Sequence, residues 1–359
     1  MDRILMVRQH INRIIQSIKS DEERRIAYVH TYGVAQCAAM IAAKRGLNSE
    51  LAYISGLLHD IYTCFTGSSL CHAISGAEMV RPIIRDMHIF TYEEKEIILS
   101  AIFYHSNKER VHDEYDEVLK DADVLQPFLN DACFRTYYLF IPRLTKVLEE
   151  LGLTALPAVY GQEPDQSKVT YNRSLFADIA ENIASQNVCG ERDNTVFMNI
   201  IKYYPEPSAF SELKNYWCAA FVYHCALEAG LELPIRLPPI KNRFAGVGSW
   251  YEWATANHFC FYEKDGFIPS RGDIVIYNNI IPPENKEQGS AWHDHIGVVL
   301  SCENEFLVVA EGNINNQNVS GIIKRKRDNT IGCFVRIPNE FTYDGWNCDY
   351  KAYLKTLKL

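Results

Sequence analysis

The chain has no CxxC pair, although it contains 11 cysteines. An odd number without paired spacing fits neither a disulfide framework nor a zinc ribbon, so free thiols and a reducing, cytoplasmic setting are expected. An uninterrupted run of about eighteen apolar residues is also missing, so no membrane-spanning helix is expected. The opening MDRILMVRQHINRIIQSIKSDEERR scatters basic residues among apolar ones and reads as an amphipathic helix, not a signal peptide. No block of like charge stands out. The formal net charge of -9 argues against a dedicated surface for nucleic acid or anionic membrane; KRKR at 324–327 reads as a solvated strand end. No internal repeat or low-complexity tract occurs. What is present is ordinary for a soluble globular protein, 47% hydrophobic and 23% charged residues. At 359 residues the chain is too long for one comfortable core, so two domains are expected.

The two halves differ in texture. Up to about residue 150, apolar residues recur at spacings of three and four in IAYVHTYGVAQCAAMIAAKRG, ELAYISGLLHDI and EKEIILSAIFYH, which predicts helices. Asn48 or Ser49 can cap the helix that follows KRG. The stretch LTALPAVYGQEPDQSKVTYN has two prolines and no periodicity, and marks a boundary. Residues 173–203 read as further helix, an adaptor between domains. After Cys218 one helical run, FVYHCALEAG, is followed by short β-branched runs, GDIVIYN, HIGVVLS, EFLVVAEGN and CFVRI, which predict an α+β domain. The expected layout is a first domain over 1–153, a linker and helical adaptor over 154–204, and a second domain over 205–359.

In the first half, metal-type ligands occur in the order His30, His59-Asp60, His72, His105, Asp123. His30 shares a helical stripe with Ile26, Val34, Cys37 and Ile41, and His105 follows Ile98, Ala101 and Ile102. His72 shares a face with Gly76 and Met79, and Asp123 lies one turn beyond Leu119. Each histidine alone is most simply a hydrogen-bonded core residue. Together, imidazoles and carboxylates converging between helices are what a divalent metal needs. His10, His88 and His112 read as solvated. The segments VHTYGVAQCAAMIA, AYISGLLHDI and LKDADVL resemble the HD-domain metal-dependent phosphohydrolase superfamily over residues 24–150, and the layout is especially similar to bacterial HD enzymes that hydrolyse dinucleoside polyphosphates. The resemblance implies a helical bundle in which His30, His59, Asp60 and Asp123 hold a first metal, with Asp121 the alternative to Asp123. His72 and His105 match the extra histidines of two-metal members. It implies one or two divalent ions, with Fe, Mn, Mg, Ni and Zn not distinguished, and hydrolysis of a small nucleotide or phosphate substrate; a minority of two-metal relatives are di-iron oxygenases.

In the second half, KNYWCAAFVYHC places Cys218 at the head of an apolar helix, where the dipole favours a thiolate. The bland alternative is a small core residue. His224, six residues on, points to a different face of the helix and cannot serve Cys218; Cys225 shares its face and reads as core. A base is expected from WHDHIGVVLS, where His295 precedes a buried strand and His293 competes. Glu311 and Asn313 are spaced by two, so both are expected on one side of a sheet, where a carboxylate or amide could orient the imidazole. The runs YWCAAFVYHCALEAG, IPSRGDIVIY, HIGVVLS and VVAEGN resemble the CHAP family (cysteine, histidine-dependent amidohydrolases/peptidases) over residues 200–340. That resemblance implies a papain-like α+β fold with Cys218 as nucleophile, His295 as base and acid, Glu311 as orienting group, and Asn313 as support or alternative third member. It implies cleavage of a peptide or other amide, with the Cys218 N–H in the oxyanion hole and Asn215 or Tyr216 near the second donor position. Trp250 and Trp253 either wall a groove or pack in the core. The whole chain is thus expected to be a multidomain hydrolase, an all-α HD bundle followed by an α+β CHAP domain, with no nucleic-acid or membrane partner. In the alternative arrangements, the first domain binds nucleotide to regulate the second, or the chain is a phage-type cell-wall lysin.

Overall fold

A computed structural model describes residues 2–131, 135–153, 160–162, 169–237, 243–278, 280, 293–343 and 345. The chain divides into two compact units, one of Met1–Ser167 with Gly345–Leu359 and one of Lys168–Asp344, so the expected second domain over 205–359 loses its last residues and gains those from 168. The prolines and the aperiodic stretch predicted as the boundary lie mostly outside the described residues.

In the first unit the helices are α1 (Arg3–Gln16), α2 (Asp21–Lys44), α3 (Ser49–Leu58), α4 (Ile61–Thr66), α5 (His72–Asp86), α6 (Tyr92–Tyr104), α7 (Glu114–Asn130) and α8 (Ile141–Glu150). Two short strands, β1 (Arg135–Tyr137) and β2 (Tyr160–Gln162), pair in parallel. Local chemistry fixes the helix starts: Ser20 accepts from Glu23 N, Asn48 from the backbone of Glu50 and Leu51, and Thr91 with Glu94 forms a capping box. The core joins Val34, Ala38 and Ile41 of α2 to Ala52, Leu119, Leu125 and Leu144. Ile26 is 53% exposed, so the apolar stripe of α2 begins about one turn later than its spacing predicts. By length and composition α2 is long and apolar enough to cross a membrane, a span the sequence reading did not expect. Its packing along α3 and α7, with Val34, Ala38 and Ile41 fully buried, is that of a core helix.

The second unit contains α9 (Arg173–Ser185), α10 (Thr195–Ile201), α11 (Ala209–Leu213), α12 (Cys218–Glu228) and α13 (Val247–Ala256). Its strands are β3 (Cys260–Phe261), β4 (Ile274–Asn278), β5 (His293–Cys302), β6 (Phe306–Glu311), β7 (Gly321–Lys326) and β8 (Ile331–Val335). They form one antiparallel sheet in the order β3-β8-β4-β5-β6-β7. Val275, Tyr277, Val299, Leu307, Val309 and Phe334 make an apolar cluster in this sheet. Helix α12 packs on β5, β6 and α9, and α9 also covers β7. Residues expected to form an adaptor are therefore integral to this unit, because α9 and α10 bury their apolar faces against its helices and strands.

Several side chains settle on the simpler of two readings. Trp250 and Trp253 are buried edge-to-face with Phe244, and Trp253 also meets Phe259 and Phe341, so they build core rather than a groove. His224 bonds Tyr203 Oη at 2.9 Å, and burial pushes its pKa down to about 4; Cys225 is fully buried. Two histidines expected in solvent are not there. His10 lies within α1 and is partly buried, while His112 stacks on Tyr104 and accepts from Lys120 Nζ at 2.5 Å.

Two glycines bring the elements of the second unit together. A Cβ on Gly312 would lie 2.5 Å from Phe221 Cβ and 2.8 Å from the Trp217 ring; one on Gly297 would lie 2.8 Å from Glu311 Cγ. The end of β6 thus rests against α12, and β5 leaves room for a carboxylate. Gly312→Ala is expected to destabilise this unit by about 1–3 kcal/mol through overpacking and to slow alkylation of Cys218, measured by denaturant unfolding beside thiol labelling.

Candidate active sites

The first site is assembled from five helices or helix ends. Helix α2 supplies His30; His59 is the C-cap of α3, with Asp60 next; His72 opens α5; His105 caps α6; and α7 supplies Asp123. His30 and His59 Nε2 each lie 3.4 Å from Asp60 Oδ2, and His30 Nε2 is 3.3 Å from Asp123 Oδ1. On the other side, His72 and His105 Nε2 lie 3.6 and 3.5 Å from Asp60 Oδ1. Asp60 therefore joins two ligand groups, His30-His59-Asp60 and Asp60-His72-His105. Of the two aspartates in DADVL, Asp123 meets the histidines, while Asp121 pairs with Arg45 at 2.5 Å and Arg143 at 2.6 Å.

The hydrogen bonds fix what this cluster wants. Each imidazole gives Nδ1–H to an oxygen: His59 to Gly56 O (2.8 Å), His105 to Ile102 O (2.7 Å), His72 to Ser69 O (2.9 Å) and His30 to Gln126 Oε1 (2.9 Å). That sets the tautomer and leaves four Nε2 lone pairs pointing inward. His30 and His59 Nε2 are 3.2 Å apart, and those of His72 and His105 are 3.1 Å apart; two bare lone pairs at that distance repel unless a cation lies between them. Asp60 Oδ1 is buried and accepts no hydrogen bond among the described residues, an unmet demand of about 1–3 kcal/mol or more. The field is strongly attractive to positive charge. Burial works against it, yet Asp123 and Asp60 raise His30 to about 11, so that without a metal ion a proton on His30 Nε2 takes the cation's place, and the histidines hold Asp60 well below the usual carboxylate range. Fully buried His105 is pushed down to about 4. The donor set thus fits a divalent metal held by nitrogen and carboxylate oxygen.

Sequence reasoning missed two residues here. Gln126, one turn beyond Asp123 on α7, orients His30. Lys108 binds Asp123 Oδ2 at 2.6 Å from the loop after α6. The i,i+3 spacing of Asp123 and Gln126 was a readable signal; nothing periodic marked Lys108.

The second site lies at the N-terminus of α12. Cys218 is its first residue, 8% exposed, and its backbone N–H belongs to the first turn, which has no intrahelical acceptor. His295 on β5 lies opposite Tyr277 of β4, and Cys218 is one of the two groups whose charge acts most on its imidazole. Its Nε2 meets Glu311 Oε2 at 2.9 Å, so Nδ1 is the ring nitrogen free for the sulfur. Burial would lower the imidazole pKa; Glu311, then Cys218, raise it to about 10. Despite full burial, Glu311 is held below its ordinary value by His295 and Arg325.

Arg325 corrects the reading of KRKR as solvated. Alternation along β7 turns it inward, where Nε and Nη2 grip Glu311 Oε1 at 3.0 Å and Oε2 at 2.5 Å. Asn313 also departs from expectation. Strand β6 ends at Glu311, and Asn313 takes a left-handed φ of 53°, so the two-residue alternation is broken. Its amide donates to Asn215 O at 2.6 Å and accepts from Asn318 N at 2.9 Å. Asn313 therefore braces the segment leading into Cys218, and its side-chain bonds to Asn215, Asn316 and Asn318 do not include His295. Tyr216 is 68% exposed. The side chain of His293 lies outside the described residues.

Residues 27–127 match the family model of the HD domain, and residues 211–313 match that of the CHAP domain. The chain carries both domains, each of a hydrolase family. It is similar to Ribonuclease Y of Fusobacterium nucleatum (26% identical over 173 residues, 46% of this chain and 32% of the relative). Ribonuclease Y of Mesoplasma florum is 30% identical over 135 residues (36% and 24%), and that of Petrotoga mobilis 37% over 79 residues (22% and 14%). The chain spans about a third or less of the length of these relatives. No solved structure matches.

Proposed function

We propose that the chain is a bifunctional hydrolase, cleaving a phosphoester or phosphoanhydride of a nucleotide-type substrate in its HD domain and an amide in its CHAP domain. The observation that supports the first half is the convergence of four Nε2 lone pairs on the two oxygens of Asp60. In this reading His30, His59, Asp60 and Asp123 would hold one divalent ion, and Asp60, His72 and His105 another. Bound there, they would supply positive charge for phosphoryl oxygens and a lowered pKa for water. The protein's share is to fix the ligands: Gln126 orients His30, and Lys108 holds Asp123.

In the CHAP domain the thiolate of Cys218 attacks the amide carbonyl carbon while His295 carries the proton on Nδ1. The negative oxygen is met by the Cys218 N–H. Collapse breaks the C–N bond, His295 gives its proton to the leaving amine, and a thioester remains. Water, deprotonated by His295, then releases the acid and regenerates the thiol. Glu311, locked by Arg325, keeps Nε2 engaged throughout. The nine free cysteines among the described residues support a cytoplasmic setting.

A second reading of the HD domain rests on the relatives named Ribonuclease Y: its phosphodiester substrate would be RNA, against the expectation from net charge. With Mn2+ loaded into the full chain, a panel of dinucleoside polyphosphates and a single-stranded RNA oligonucleotide separates the two. Release of mononucleotides from the former alone supports the small-substrate reading, and cleavage of RNA alone overturns it.

A further inference from the structure

Outside both sites, two thiols lie side by side at the far edge of the second unit's sheet. Strand β3 pairs with β8 so that Cys260 stands opposite Val335. Cys333, two residues back along β8, therefore shares a face with Cys260 on the diagonal. Each thiol shifts the other's titration, as close neighbours do. Thr255 Oγ1 lies 3.5 Å from Cys260 Sγ, and Tyr251 O lies 3.9 Å from it. Cys333 is buried, 1% exposed, whereas Cys260 on the edge strand is only half-buried. One thiol is thus open to a small reagent, with a second, shielded thiol on the neighbouring strand beside it.

We propose that Cys260 and Cys333 form a peroxide-responsive dithiol, with Cys260 the attacking thiol and Cys333 the resolving one. In the first step the Cys260 thiolate attacks one oxygen of hydrogen peroxide; the O–O bond breaks, sulfur is oxidised to a sulfenic acid and hydroxide leaves to become water. In the second, the Cys333 sulfur attacks the sulfenic sulfur; an S–S bond forms, the S–O bond breaks, and a second water departs with the Cys333 proton. One peroxide and two thiols give one disulfide and two waters, and an external thiol reverses the change. Exposure assigns the order, since the half-buried Cys260 meets the reagent and the buried Cys333 does not, and the electrostatics run the same way. Cys333, helped by Thr255 and opposed by burial, brings Cys260 down to about 7, while Cys260 and burial push Cys333 far up. The surroundings differ from those of Cys218, whose partner is an imidazole.

The test uses the full chain, treated with a small excess of hydrogen peroxide in the presence of dimedone and mapped by peptide mass spectrometry before and after dithiothreitol. In the unsubstituted protein a dithiothreitol-reversible cross-link between the Cys260 and Cys333 peptides is expected, with little dimedone on either. Cys333→Ser should leave Cys260 trapped by dimedone, and Cys260→Ser should leave Cys333 reduced. Cys218→Ala should form the cross-link as the unsubstituted protein does. Dimedone capture or sulfinic acid at Cys260 in the unsubstituted chain without a cross-link would overturn the proposal, as would both thiols remaining free.

Discussion

Iodoacetamide is expected to label Cys218 rapidly near pH 6, and His295→Ala to slow that labelling by about 100-fold. An ordinary thiol with a pKa of about 8.5 is only ~0.3% thiolate at pH 6, whereas Cys218 opens helix α12 near an imidazole raised to about 10, whose positive charge persists across the neutral range and favours attack by the sulfur. Removing the proton carrier removes a contribution of about 10²–10⁴ in such chemistry. Glu311→Gln should act in the same direction and more weakly, because the amide still reaches Nε2 but carries no charge. Stability follows the same titration. His295 has a folded pKa above its ordinary 6.5, so its share is fully present below about 6.5 and is lost as pH rises through about 10. Unfolding free energy measured in denaturant from pH 6 to pH 10 should fall in the unsubstituted chain, and the fall should shrink in Glu311→Gln. Labelling of Cys218 at pH 6 no faster than at Cys225, which is fully buried, would leave it a core thiol.

Asp60→Asn is expected to empty both metal positions together. Its two carboxylate oxygens face separate histidine pairs, so a single substitution weakens both groups. Changes to residues that merely orient a ligand cost about 10–100-fold in metal affinity, and loss of the shared ligand should cost at least ~100-fold. Elemental analysis after Mn2+ loading and desalting should find two ions per unsubstituted chain and almost none in Asp60→Asn. Mn2+ at about 100 times its dissociation constant should also stabilise the unsubstituted protein by about 2.7 kcal/mol for each ion bound, an increment absent from the variant. His72→Ala distinguishes the two groups, since it should remove one ion and leave the one at His30 and His59. Loss of neither ion in Asp60→Asn would refute the shared carboxylate.

Much of this was legible in the chain because periodicity reports which side chains face inward. His105 behind Ile98, Ala101 and Ile102 lies in the core as its spacing predicts, and His30, one turn before Val34 on α2, turns in to Asp60 and Asp123. The helix-then-strand order likewise brought Cys218, His295 and Glu311 together from positions far apart. What escaped was what depends on how a segment ends. Asn313 left the face of Glu311 because the strand stops there and the backbone turns left-handed. Arg325 was hidden in a run of four basic residues, where composition suggests solvent and only strand alternation shows an inward side chain. Lys108 lies in a loop, where no repeat carries information. The helices over 173–203 were visible, but a sequence pattern shows an apolar face without showing what covers it.

The most direct test of two separate hydrolytic sites in one chain compares Cys218→Ala with Asp60→Asn in the Mn2+-loaded protein, following nucleotide release from a dinucleoside polyphosphate by chromatography. The account predicts that Cys218→Ala retains the unsubstituted rate while Asp60→Asn loses at least ~100-fold, with alkylation of Cys218 at pH 6 preserved in Asp60→Asn. Equal loss in both variants, or release that ignores Asp60→Asn, would contradict it.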